Sequence, residues 1–136
     1  MGTFPVEVSF PVHWAELDAL GHVNNARYFT WFETARMELF QRVGLATTGL
    51  PKIGPILAQT ECRFKAPVQY PATVQVGTRV ARLGNTSFVM DYRAALEAKP
   101  EEAVAEGSGV VVMFDYQGGA KVPIPTDLRA RLADLG

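Results

Sequence analysis

Between residues 5 and 13 the segment PVEVSFPVH alternates, with Val6, Val8, Phe10 and Val12 apolar. That period of two predicts a strand. Pro11 places the strand at an edge or a bulge, because proline cannot donate to a ladder. Over 25–43, NARYFTWFETARMELFQRV, the period changes. Phe29, Phe32, Arg36, Phe40 and Val43 fall along one helical row, with Tyr28, Trp31, Ala35 and Leu39 along the next. The two rows predict a well-buried helix with a wide apolar face. Glu38 and Arg42 pair at i,i+4 on the remaining face. Asn24 or Asn25 suits the N-cap, and Gly44 stops the helix.

A Gly/Pro-rich loop is expected over 44–55, and then the period of two returns four times. Over 56–66, Ile56, Ala58, Thr60, Cys62 and Phe64 share one face, opposed by Gln59, Glu61, Arg63 and Lys65. Strands are expected at 72–83 (Val74, Val76, Val80), 86–97 (Phe88, Met90, Tyr92, Ala94, Leu96) and 103–116 (Val104, Val110, Val112, Phe114, Tyr116). GNTS at 84–87 reads as a tight turn. Gly107 and Gly109 mark a bulge or a close backbone approach. A short amphipathic helix at 126–134 carries Leu128 and Leu132. One strand, one long helix and four strands define an α+β chain, with an antiparallel five-stranded sheet covered on one face by the helix. The other face, bearing Glu61, Arg63, Asp91 and Arg93, is solvated or lightly packed. The edge strands invite pairing between subunits.

Composition narrows the classes. The 136 residues suit one domain, 1–136, and 48% hydrophobic residues supply a core. A net charge of −1 without a basic cluster gives no nucleic-acid footprint. No apolar run reaches the roughly 18 residues of a membrane span, and MGTFPVEVSF lacks the pattern of a signal peptide. A cytoplasmic location is therefore expected. Cys62, the lone cysteine, reads as a buried small hydrophobe. With two histidines it makes a poor zinc site, so neither metal nor cofactor is expected.

The densest chemistry is WAELDALGHVNNARYFTWFE, residues 14–33. Glu16, Asp18, His22, Asn24 and Asn25 crowd the start of the long helix. A plain capping loop explains Asp18 and the asparagines on spacing alone. Glu16 and His13 read as structural groups, and the helix aromatics Tyr28, Phe29, Trp31 and Phe32 as core, with a pocket lining where the helix meets a second subunit as the alternative for some of them.

The string LDALGHVNNARYFTWFETAR resembles the acyl-CoA thioesterases of the 4-hydroxybenzoyl-CoA thioesterase family. Its HVNN segment is similar to that of plant acyl-ACP thioesterases. RFKAPVQYPATVQV and RLGNTSF extend the likeness over roughly residues 5 to 117. The resemblance implies a hotdog fold, in which an antiparallel sheet wraps around one long central helix. It also implies acyl-CoA thioester hydrolysis at a homodimer interface, the dimers standing alone or pairing into a homotetramer. Asp18 matches the catalytic carboxylate, as nucleophile or general base; the sequence leaves both open. Asn25 falls where a backbone N–H at the helix start meets the thioester carbonyl. His22 matches a polar position of the plant motif and completes the catalytic candidates.

Gly21, whose lack of a Cβ lets substrate approach, and Asn24 adjoin the reacting group. Lys65, Arg79 and Arg82 are candidates for the CoA phosphates. Asn85, Thr86 and Ser87 are candidates for the pantetheine arm. Each of these cations is as readily an ordinary surface charge, and the three polar residues an ordinary turn. Two positions depart from the family. The plant pattern has Asn where this chain has Leu20, and the position filled by Glu16 is often Asp. The competing readings are an acyl-thioester binding or regulatory module without turnover, a hotdog hydratase or dehydratase, and a structural dimerisation domain. DALGHVNN fits the hydratase arrangement poorly, and a module that only binds gains nothing from an anion beside a polyanionic ligand.

Overall fold

A computed structural model describes residues 4–45, 49 and 51–135. The expected loop over 44–55 therefore lies partly outside the described residues. Strand β1 (Val6–Pro11) leads through a single 3₁₀ turn, Trp14–Glu16, and the polar loop into helix α1 (Ala26–Arg42). Then come β2 (Ile53–Phe64), β3 (Thr73–Leu83), β4 (Ser87–Leu96), β5 (Ala103–Asp115), β6 (Ala120–Lys121) and helix α2 (Thr126–Leu135). The strands form one antiparallel sheet in the order β1-β3-β4-β5-β2, with β6 also on β5. The sheet thus has six strands, which corrects the expected five. The extra one pairs Ala120 and Lys121 with Asp115 and Phe114. Two residues are too short to show a period.

Helix α1 lies on the face made by alternate residues of the strands. Phe88, Met90, Tyr92 and Ala94 of β4 are buried there, beside Val74, Val76 and Thr78 of β3. From the helix, Trp31, Phe32, Ala35, Leu39 and Phe40 are buried against them. The close approach expected at Gly107 is present. A Cβ there would meet Glu61 O, and the Phe32 ring at 2.7 Å. Phe32 uses that space to stack on Tyr92, centroids 4.6 Å apart. Arg36, also buried, donates from Nη1 to the Tyr92 hydroxyl at 3.0 Å. A guanidinium on the apolar row is therefore partnered, as a buried charge must be.

Three side-chain placements differ from the pattern. In β5 it is Val111, opposite Phe88, and Met113 that are buried toward the helix, so Val110 and Val112 lie on the other face. A β-bulge between Leu57 and Gln59 shifts the register of β2 on β5. Thr60, Cys62 and Phe64 face the helix as expected. Beyond the bulge it is Leu57, opposite Val111, that shares their face, and Ile56 lies on the other one. One extra residue reverses every facing position past it. Phe29 is 37% exposed rather than buried. Because β2 ends the sheet on that side, no further strand among the described residues covers that flank of α1.

On the outer face the charges pair locally, Arg63 with Glu61 at 3.1 Å and Arg79 with Asp91 at 3.3 Å. Among the described residues no helix is long and apolar enough to cross a membrane.

Candidate active site

The loop before α1 is held by its own polar groups. Glu16 Oε1 accepts the His13 N–H at 2.7 Å, and the Glu16 carbonyl accepts the Asn24 N–H at 2.9 Å. Its other carboxylate oxygen lies 3.7 Å from Arg27 Nε. Glu16 is buried and ties the loop's entry to the helix start, which makes it a structural group. Asp18 closes the tip. Its Oδ1 accepts the N–H groups of Leu20 (2.9 Å) and His22 (3.2 Å), and its carbonyl accepts Gly21 N–H at 3.0 Å. Gly21 takes φ +78°, a backbone that favours glycine. Val23 N–H then bonds the Val68 carbonyl at 2.8 Å, pinning the loop to the segment before β3.

The capping question resolves to Asn24. Its Oδ1 accepts Ala26 N–H and its carbonyl accepts Arg27 N–H, each at 2.9 Å. Asn25 is already helical, at φ −55° and ψ −32°, and makes no capping bond with its side chain. The Asn25 N–H has no acceptor among the described residues. Asp18 Oδ2 likewise has no hydrogen-bond partner among them.

Asp18 and Asn25, the residues that carry these groups, line one cleft of about 330 Å³, within the usual size of a small-molecule site. The loop supplies Asp18, His22 and Asn25. Phe64, Lys65, Ala66 and Pro67, from the end of β2 and the segment after it, also line the cleft, as do the buried Val23 and Tyr28. His22 meets Asp18 through its backbone N–H, not through its imidazole. Gly21 and Asn24 adjoin the cleft in the same loop. Lys65 is ion-paired with Glu106, whose carboxyl that hydrogen bond holds below its ordinary range. To bind a phosphate, Lys65 would have to share its charge with that partner.

The remaining candidates stand elsewhere. Arg82, Asn85, Thr86 and Ser87 lie at the far end of β3 and β4, roughly 30 Å along the strands from the cleft by the usual rise. Arg82 is opposite Val89 on the outer face. The turn is engaged by its own chain: Gly84 N–H bonds Ser87 O at 2.7 Å, and the carbonyls of Asn85 and Thr86 accept Ile124 and Met113 N–H. Arg79 is held by Asp91 and covers the Phe4 ring at 4.9 Å.

Two features of the cleft escaped sequence reasoning. One is the Ala66–Pro67 wall, which the RFKAP stretch marked only as a likeness. The other is the Tyr28 hydroxyl: the spacing marks the ring as core or pocket lining and says nothing of its hydroxyl. Cys62 is half-buried on the helix side of β2, and burial pushes its thiol up to about 11. It therefore stays protonated near neutral pH, as a small hydrophobe would. Among the described residues no three His, Cys, Asp or Glu side chains are grouped to hold a metal ion.

One long helix laid on an antiparallel sheet, with a carboxylate loop at the helix start, is the hotdog arrangement of thioesterases. The chain matches the thioesterase-like superfamily over residues 12–132 and belongs to it. That membership supports thioester hydrolysis as the general activity; the match is to the wider superfamily, not to the 4-hydroxybenzoyl-CoA thioesterases in particular.

Among solved structures, the PA2801 protein of Pseudomonas aeruginosa is 32% identical, with a TM-score of 0.86 over 94% of this chain and 98% of its own. A thioesterase from Thermus thermophilus, crystallised with coenzyme A and Zn, is 33% identical with a TM-score of 0.81, covering 99% of this chain and 96% of its own. The chloroplastic acyl-acyl carrier protein thioesterase ATL3 of Arabidopsis thaliana is 26% identical over 92% of this chain and 66% of its own length.

Proposed function

We propose that residues 1–136 form a single domain that hydrolyses acyl-CoA thioesters to free acid and CoA. The observation that carries this reading is the pairing of groups in the cleft. Asp18, with one carboxylate oxygen unbonded among the described residues, and Asn25, whose backbone N–H is likewise unbonded among them, line the same cleft. Thioester hydrolysis needs little more. The leaving thiol has a pKa of about 8.5, by analogy with cysteine, and departs as thiolate without a strong general acid. What is required is attack, or activation of water, and stabilisation of the developing oxyanion. Asp18 provides the first as nucleophile or general base, and Asn25 N–H the second. The coenzyme A bound by the Thermus protein supports CoA as the carrier.

We also propose that the active form is a homodimer paired through β2, or a tetramer built of such dimers. β2 is a long strand at the sheet edge, and Phe29, Leu57 and Phe64 beside it are 37%, 38% and 41% exposed. A long edge strand with exposed apolar neighbours invites pairing. Antiparallel pairing of two copies would bring the Ile53 end of the partner's sheet beside the cleft. That is the end carrying the turn at Asn85, so the four distant candidates would reach the thioester's CoA from the partner subunit.

A panel of acyl-CoAs, alkyl and aryl, read with a thiol reagent, tests the reaction. Release of free thiol from at least one member is expected. If none is cleaved above background, the binding-module reading replaces this one. Light scattering on the same sample should give a mass of two or four chains, and a monomer at working concentration would remove the interface.

A further inference from the structure

Tyr28 is only 2% exposed, and its ring is clamped edge-on by two aromatics. Trp31 lies 5.1 Å away at 67° and Phe64 lies 5.2 Å away at 78°, centroid to centroid. Its hydroxyl nevertheless has no hydrogen-bond partner among the described residues. Buried tyrosines usually find one. Tyr92, on the same helix–sheet interface, shows the ordinary case, with its hydroxyl taken by Arg36 at 3.0 Å. No buried side-chain polar atom of the described residues is both unbonded and sealed from solvent. The Tyr28 hydroxyl is therefore not sealed from solvent, and the residue is one of those that line the cleft.

Position on the helix adds a second constraint. Tyr28 follows Asn25 by three residues, so the two share one helix face. Aromatic side chains in a helix lean toward its N-terminus, here toward the free Asn25 N–H. Burial, reinforced by the nearby Cys62, pushes the phenol up to about 12, so it is a hydrogen-bond donor at every working pH.

We propose that the Tyr28 hydroxyl donates a hydrogen bond to the thioester carbonyl oxygen, as a second donor beside the Asn25 N–H. This rests on the thioesterase reading above. One backbone donor alone leaves the oxyanion half-solvated, and a fixed phenol that excludes water supplies the other half without reorganisation. A donor matched to the oxyanion acts on the chemical step more than on substrate binding.

The test is Tyr28→Phe, which deletes one atom that no described residue bonds. Wild type and variant are compared on whichever acyl-CoA the wild type cleaves. The expected result is a kcat about 10²-fold lower, with KM little changed and Tm unchanged. If Tyr28 is only core, the variant keeps kcat, and the proposal is overturned. A rise in KM with kcat intact overturns it as well, since that would be contact with the ground state.

Tyr28→difluorotyrosine keeps the ring's shape and makes the phenol more acidic. It should add an alkaline fall in kcat that wild type lacks, because a phenolate cannot donate; an unaltered pH profile counts against the role even if Tyr28→Phe folds poorly. An inactive wild type brings down the thioesterase reading and this inference together. An active wild type with an equally active Tyr28→Phe brings down the inference alone.

Discussion

Asp18→Asn is expected to lower kcat/KM for any thioester the protein cleaves by about 10²–10⁴-fold, with thermal stability unchanged. The substitution is close to isosteric. The asparagine Oδ1 can keep the bonds from Leu20 and His22 N–H that close the loop tip. What is lost is the charge and basicity of the other oxygen, the one without a partner. An amide neither attacks a carbonyl nor takes a proton from water at neutral pH. Steady-state kinetics beside a melting curve separate the two effects. A variant as active as wild type removes Asp18 from the chemistry. One that melts well below wild type shows that the loop, not the reaction, needed the anion.

Phe32→Ala should be among the most destabilising single changes in the chain, costing about 3–5 kcal/mol, which lowers Tm by roughly 10–20 °C. The ring is fully buried and stacked on Tyr92 at an interplanar angle of 7°. It fills the space left by Gly107, where backbone of β2 stands close by. Truncation leaves a cavity that the surroundings cannot easily collapse into, because two strands and a helix hold its walls. It also exposes the neighbouring Arg36–Tyr92 hydrogen bond to water. Chemical or thermal denaturation gives the number. A loss under about 1 kcal/mol, the size of a tolerated repacking, would mean that the stack contributes little.

The candidate site was partly legible in advance. Asp18, His22 and Asn25 lie within eight residues of sequence, and a capped loop keeps such neighbours together in space. Lys65 joins them because β2 ends beside the loop. Arg82 and the residues from Asn85 to Ser87 stand out in the sequence only by a likeness and by charge. Neither says which end of a strand meets which end of a helix. Tyr28 was hidden for a different reason: its spacing is that of a core residue, and its ring is core. Only the missing partner of its hydroxyl sets it apart, and a missing partner has no signature in sequence.

What the sequence by itself determined is the part governed by short-range physics. The 3.6 period of α1, the period of two in the strands, the turn at 84–87 and the clustering of polar groups before the helix all follow from neighbours a few residues apart. Tertiary structure decided the rest. It placed the bulge near Ala58 that exchanges Leu57 for Ile56, and it added β6 to β5. It assigned the cap to Asn24, and among the described residues it left the Asn25 N–H without an acceptor and gave the Tyr92 hydroxyl a partner but the Tyr28 hydroxyl none. Register and hydrogen-bond satisfaction depend on groups far apart in the chain. They are settled only when the sheet, the helix and the loop compete for the same donors and the same space.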